Sequence, residues 1–428
     1  MSNANLSSDL RYLLSPRAVR EKSKLLFDLT VAGKTHFTYH PEKLKEVADL
    51  VVQTTLGNYP SLEIPFHSRW GHFQVGSVDR LSKLTSALAS FTPEEKVKSK
   101  LDLAVVSVLL DAGAGADWKY TESAPDSGKS FNRSEGLAVA SFHMFLAGSF
   151  SSDNSRPYQV DAKGLQDLTV EMLAEGFQVS ATNPLIGLGG RVKLLQTLGK
   201  AMADDPVHFG GATKEADDPE SAARPGNLLN YYLTVARDTK DGKLPSHELL
   251  LGVLLGLGPI WPGRLTFEGV SLGDVWNHRL LGETNTVAGM VPFHKLSQWL
   301  TYSLIEPLQE FGLEISELTG PSGLTGLAEY RNGGLLIDSG LIELKDKALL
   351  TEKHHPSSEL VIEWRALTVT LLEHLAREVR IALKKTDEEL PLARVLEGGT
   401  WWAGRRLAMK LRPSGNPPLQ IDSDGTVF

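Results

Sequence analysis

Cysteine is absent from all 428 residues. That absence excludes disulfides, thiolate zinc sites, iron–sulfur clusters and a cysteine nucleophile together. Long apolar runs are also missing. The longest, about 249–260, is broken by three glycines and falls short of the roughly 20 residues that a membrane span needs. No long basic run accompanies the formal net charge of −8, which argues against a surface that coats nucleic acid. The first ten residues carry neither a basic stretch nor an apolar core of the signal-peptide kind. The expectation is a soluble cytoplasmic protein with no membrane and no nucleic-acid partner.

What is present is an ordinary globular composition, 41% apolar and 22% charged. The chain reads as one large helical domain, divisible into two lobes, 1–203 and 227–428, joined by a polar loop at 204–226 where apolar spacing vanishes. Helical periodicity predicts helices over 9–29, 42–56, 93–110, 134–146, 165–175, 190–202, 228–237, 247–257, 290–311, 363–385 and 400–409. The clearest carries Trp364, Leu367, Leu371, Leu375 and Val379 on one stripe. Residues 65–73 and 124–133 read as loops. No alternating strand–helix rhythm occurs, so the fold class is mainly α.

Several chemistries lack their motifs. Gly113-Ala-Gly115 has Trp118 where a dinucleotide loop needs a third glycine, and Gly187-Leu-Gly-Gly190-Arg lacks the lysine of a phosphate loop. His354-His355, beside Pro356, reads as a solvated pair and not as a metal site. A scattered set of acids and arginines remains: Asp111, Asp274, Glu329, Asp338 and Glu363, with Arg69, Arg331 and Arg365. Each has a structural reading, as a helix cap or a dipole partner. The acids beside Trp118, Trp276 or Tyr330 in apolar segments stand out, because burial or a cationic neighbour shifts a carboxyl pKa. The most concentrated stretch is Leu324-Thr-Gly-Leu-Ala-Glu-Tyr-Arg331-Asn-Gly-Gly-Leu-Leu-Ile-Asp338.

With that stretch, the chain resembles the fungal and bacterial uracil-catabolism family long filed as a domain of unknown function. Phe66-His-Ser-Arg-Trp70, Leu110-Asp-Ala-Gly-Ala-Gly115, Arg133-Ser-Glu-Gly-Leu-Ala-Val-Ala-Ser141, Pro292-Phe-His-Lys-Leu-Ser-Gln-Trp-Leu-Thr-Tyr302, Glu363-Trp-Arg-Ala-Leu367 and Trp402-Ala-Gly-Arg405 carry the likeness across nearly the whole chain. A more distant resemblance is to the queuosine-nucleotide N-glycosylases of queuosine salvage. Gly273-Asp-Val-Trp276, Ala328-Glu-Tyr-Arg331 and Glu363-Trp-Arg-Ala366 follow the order of that family's motifs, with Glu329 standing where the relative has Asp.

The second resemblance implies a helical glycosylase-like fold related to the helix-hairpin-helix DNA glycosylases, with loop insertions, and paired acids that cleave a base–ribose bond. Carried over by motif, Asp274 and Glu329 are the candidate catalytic acids, their roles undivided, with Asp111 in reserve. Arg331, Arg365, Arg69 and Lys295 are candidates for a substrate phosphate. Trp118, Trp276 and Tyr330 would form apolar walls, and His67 and Glu363 join the substrate-binding set. The implied substrate is a small ribosyl compound, ribosylurea or its 5′-phosphate, cleaved to urea and ribose or its phosphate without metal or organic cofactor. Hydrolysis on the ureido side and a non-catalytic nucleotide-binding or regulatory role stand as alternatives.

Overall fold

The computed structural model describes residues 6–111, 113–115, 117–124, 126–211, 222–261 and 265–422. The fold is mainly helical, with strands of two or three residues paired in six two-stranded ladders among the described residues. None of the described helices is long and apolar enough to cross a membrane. The chain divides into two compact units built from interleaved segments. One comprises Ser68–Pro262 and Leu300–Ser316, the other Asn5–His67, Gly263–Trp299 and Glu317–Phe428. The stretch 204–226 thus falls inside the first unit. Two short turns of helix flank its centre, Pro206–Phe209 and Pro225–Asn227, and residues 212–221 lie outside the described set.

In the first unit the helix Pro93–Leu109 is the core element. Thr92 caps it, accepting from the Glu95 N–H at 3.2 Å, while Pro93 and two glutamates occupy the first turn. These residues suit the unpaired N–H groups and positive end found there. The run Leu101–Leu109 is wholly buried, Asp102 included. Asp102 is tolerated because it accepts from Arg224 Nε at 2.8 Å and from the N–H groups of Val160 and Gly226 at 3.0 and 2.6 Å. The expected loop at 124–133 is partly strand: Ser130–Asn132 pairs antiparallel with Lys119–Thr121, Tyr120 opposite Phe131.

In the second unit the 25-residue helix Glu359–Leu383 packs against Pro16–Val31, Leu44–Asn58 and Tyr330–Asp338. The expected single helix at 9–29 is two, Ser8–Leu13 and Pro16–Val31. Ser15 caps the second, and Pro16 cannot donate the hydrogen bond that would continue the first. The expected helix at 290–311 begins only at Lys295. Before it, Met290–Pro292 pairs antiparallel with Val275–Asn277, and His294 has a left-handed backbone, φ 49°. The expected loop at 65–73 ends in a short helix, Arg69–Phe73, which belongs to the first unit.

Helix Tyr330–Asp338 is held on its other side by Trp401–Leu411, and the close approach requires Gly404. A Cβ at Gly404 would overlap the Arg331 carbonyl oxygen. Gly404→Ala is therefore expected to destabilise the protein by about 1–3 kcal/mol, the usual penalty of overpacking. A Cβ at Gly57, in the Leu44–Asn58 helix, would meet nothing within 4 Å. Gly57→Ala is expected to gain up to about 1 kcal/mol from helix propensity. Urea-unfolding midpoints of the two variants should move in opposite directions from wild type.

Candidate functional site

The second unit brings together most of the residues singled out in the sequence. Glu329 ends an extended segment and caps the helix Tyr330–Asp338. Its backbone is extended, and its carboxylate accepts from the N–H of Arg331 at 2.6 Å and of Asn332 at 2.5 Å. The helix start thus explains where this side chain points. Among the described residues no ion pair reaches it. Burial pushes its carboxyl pKa up, against the two N–H groups and the positive fields of Lys295 and His67. A buried carboxyl raised in this way exchanges protons closer to neutral pH than an exposed one.

Asp274 has the opposite environment. Arg365 grips it in a fork, Nη1 to Oδ1 and Nη2 to Oδ2, both at 2.7 Å. Trp276 donates its indole N–H to Oδ1 at 2.8 Å, and the Lys295 N–H donates to Oδ2 at 3.0 Å. Burial alone would raise this carboxyl, but the guanidinium and the two N–H donors outweigh it and hold the pKa well below the usual carboxylate range. The group is a fixed anion. Its position follows from the strand Val275–Asn277 on one side and the start of the Lys295 helix on the other. Arg365 also stacks 4.1 Å from the Phe293 ring centroid and points Nε at the Ala328 carbonyl, 3.4 Å away. The Asp274–Arg365 pair is thereby tied to the residue that precedes Glu329. Beneath it lies an apolar cluster of Val19, Leu26, Trp276, Val291, Phe293, Ala328 and Ile362.

The other candidates divide by partner. Glu363 is buried and accepts from the His36 backbone N–H at 2.8 Å, with His36 Nδ1 at 2.8 Å and His278 Nε2 at 3.2 Å. It clamps two histidines and lies in the second turn of its helix, not at the start. Arg331 donates to the Gly415 carbonyl at 2.7 Å and lies 4.8 Å from the Tyr330 ring centroid. Asp338 is forked by Arg412 at 2.8 and 2.5 Å. Asn332, whose N–H donates to Glu329, is fully buried, and among the described residues neither its amide oxygen nor its amide nitrogen has a hydrogen-bond partner. A buried amide without partners costs about 1–3 kcal/mol, which makes Asn332 unusual for a purely structural residue. His354, expected in a solvated pair, is buried with Nε2 2.7 Å from the Leu349 carbonyl oxygen, while His355 is exposed.

His67 brings in a residue that sequence reasoning missed. Its Nδ1 lies 2.8 Å from Glu397 Oε2, and Tyr59 donates its hydroxyl to Oε1 of the same carboxylate at 3.0 Å. Glu397 sits on a single turn of π-helix, Leu396–Thr400, joined directly to Trp401–Leu411. Such turns are rare and concentrate at functional sites. The Trp401 ring lies 6.2 Å from that of His67, and Arg405 covers Trp401 at 5.4 Å. The readable signal was the glycine pair Gly398-Gly399 beside the tryptophans.

Arg69, Asp111 and Trp118 belong to the first unit. Arg69 is buried and donates to Asp111 at 2.6 Å and to the Ser107 hydroxyl at 2.7 Å. Trp118 has no exposed surface. It stacks on Phe177 and donates its indole N–H to the Phe177 carbonyl at 3.0 Å, as a core residue does. Sequence made it a pocket wall, but its ring is packed in the core, so close to Gly136 that a Cβ there would overlap it. In the same unit Glu122, Asp126 and His143 bring possible ligand atoms within 4.8 Å of one another. Arg80 forks Glu122 with two bonds of 2.6 Å, so a cation there would have to displace a buried guanidinium. The cluster reads as an ion-pair network.

The second unit thus holds a buried carboxyl raised in pKa, Glu329, and an acid–arginine pair, Asp274 and Arg365, tied to the residue before it. The chain belongs to the family described as "Protein of unknown function (DUF1688)", which matches residues 12–428. It is 42% identical over 423 residues to "Protein urg3" of Schizosaccharomyces pombe, covering 97% of this chain and 98% of that protein. It is 37% identical over 452 residues to "Uracil catabolism protein 4" of Lachancea kluyveri, covering 99% of this chain and 100% of that protein.

Proposed function

We propose that the protein acts in uracil catabolism as an N-glycosidase-type hydrolase, cleaving ribosylurea or its 5′-phosphate to urea and ribose or ribose phosphate. The name of the Lachancea relative supports the pathway. The reaction rests on one observation: a buried Glu329 carboxyl, pushed up in pKa and aimed by a helix start, and an Asp274 held as an anion by Arg365, whose Nε reaches the carbonyl of the residue before Glu329. Breaking an N-glycosyl bond builds positive charge on the sugar, and the incoming water must lose a proton. Glu329 takes that proton. Asp274 keeps its charge, orders Arg365 and Lys295 around it, and exchanges none. The motif resemblance gives both acids catalytic standing, and their environments divide the labour. The kinship with helix-hairpin-helix glycosylases belongs to this proposal and is carried by the order of the three motifs.

The unpartnered Asn332 amide supports the ureido group, because a carboxamide and a urea each offer one donor and one acceptor edge. Lys295, whose charge acts on the Glu329 carboxyl, and Arg331, the residue whose N–H that carboxylate accepts, are the cations proposed for a 5′-phosphate. Purified protein incubated with ribosylurea, and separately with its 5′-phosphate, is expected to release urea. Ammonia without urea would point instead to hydrolysis on the ureido side. Thermal stabilisation by uridine nucleotides with no product would point to a binding protein. Either result sinks the glycosidase reading.

A further inference from the structure

Urea is a poor leaving group as an anion, so the departing nitrogen needs a proton, and Asp274 has none to give. We infer that His67, oriented by Glu397, is the general acid that protonates the leaving nitrogen. The inference rests on the glycosidase reading of the Glu329 site. Three observations carry it. His67 is 7% exposed, and its Nδ1 is fixed 2.8 Å from Glu397 Oε2, so the carboxylate sets the ring's orientation. Its Nε2 has no hydrogen-bond partner among the described residues. The ring lies in the same unit as Glu329 and within electrostatic reach of that carboxyl.

Carboxylate and imidazole thus repeat a known device, in which an acid fixes one ring nitrogen and leaves the other for the reaction. The carboxylate that touches the ring, Glu397, also accepts from Tyr59, and the Trp401 ring lies 6.2 Å from the imidazole. Arg394 stands over Phe66, and Arg405 over Trp401.

The balance is simple. Water forms a bond to the anomeric carbon and gives its proton to Glu329. The carbon–nitrogen bond breaks with its electron pair on nitrogen, and His67 Nε2 supplies the proton that completes urea. Bulk water then returns a proton to His67 and takes one from Glu329. His67 is the catalytic residue, while Glu397, which acts through the ring, is a positioning residue.

The test compares leaving groups. Urea release from ribosylurea is measured for wild type, His67→Gln, His67→Asn, Glu397→Gln and Glu397→Asp, beside nitrophenol release from 4-nitrophenyl riboside. Nitrophenolate leaves without a proton. Both His67 variants are expected to lose about 10²–10³-fold in kcat/KM on ribosylurea and to keep nitrophenol release within about threefold. They should also lose the alkaline limb of the wild-type pH profile. Glu397→Gln is expected to lose about 10–100-fold, the size of an orienting contact, and Glu397→Asp to recover part of it. Parallel loss on both substrates, or no loss on either, overturns the assignment of His67. If wild type releases neither urea nor nitrophenol, the glycosidase reading itself has failed, and the two failures are distinguishable.

Discussion

Glu329→Gln is expected to lower kcat/KM for urea release by about 10²–10⁴-fold, the range of a lost general acid or base, without costing stability at alkaline pH. The two effects come from the same burial. The amide has nearly the shape of the carboxylate and can accept from one of the two helix N–H groups that Glu329 caps. Losing the better cap costs about 1 kcal/mol. Against that stands the linkage. The folded-state pKa of Glu329 is raised above its unfolded value of about 4.3. Its contribution to stability is therefore fully present below that value and is lost as pH rises through the folded pKa. An amide does not pay that penalty. The variant should gain on wild type in denaturant midpoint as pH rises above the unfolded value of about 4.3, while its activity stays low throughout. An active variant, or a relative midpoint that falls with pH, would remove Glu329 from the chemistry. Glu329→Asp, also a good cap, draws the carboxylate back by about a bond length. It should fold normally and still lose rate.

Asp274→Ala is expected to cost about 3–5 kcal/mol, because it leaves a fully buried guanidinium without its counter-charge. Trp276 and Lys295 lose an acceptor as well. Asp274→Ala with Arg365→Met should recover much of the loss, since removing both charges of a buried pair is far less costly than removing one. The double-mutant cycle measures that coupling. The pH dependence runs opposite to that of Glu329. The Asp274 pKa is lowered in the folded state, so its stabilisation is present above the unfolded value of about 3.9 and is lost as pH falls through the folded pKa. The gap between wild type and Asp274→Asn should narrow below about pH 4. Additive single losses would mean that the pair is not the unit described above.

Helices with a clear apolar stripe were legible. Pro93–Leu109, Arg133–Leu146, Leu228–Asp238 and Ser246–Leu257 lie where periodicity puts them, within a residue or two. The misses were short pairings that depend on a distant partner. Met290–Pro292 has no strand pattern of its own and is a strand because Val275–Asn277 is opposite. In the site, sequence named Glu329, Asp274 and Arg365 but not how they differ. That difference arises from contacts 91 residues apart for Arg365 and Asp274, and from burial, neither of which composition reveals. Glu397 was missed for the same reason: the glycine pair beside it marks an unusual turn, but the acid's partner, His67, lies 330 residues away.

The interleaving of the two units bears on how the protein is made. Translation delivers His36 and His67 early, yet Glu363 and Glu397 follow 327 and 330 residues behind them. The second unit cannot close around its acids on the ribosome until its last segment has been synthesised, whereas Ser68–Pro262 is finished long before. A chain stopped before Glu363 would carry His36 and His67 without the carboxylates that they meet in the finished protein, so these contacts form late in synthesis.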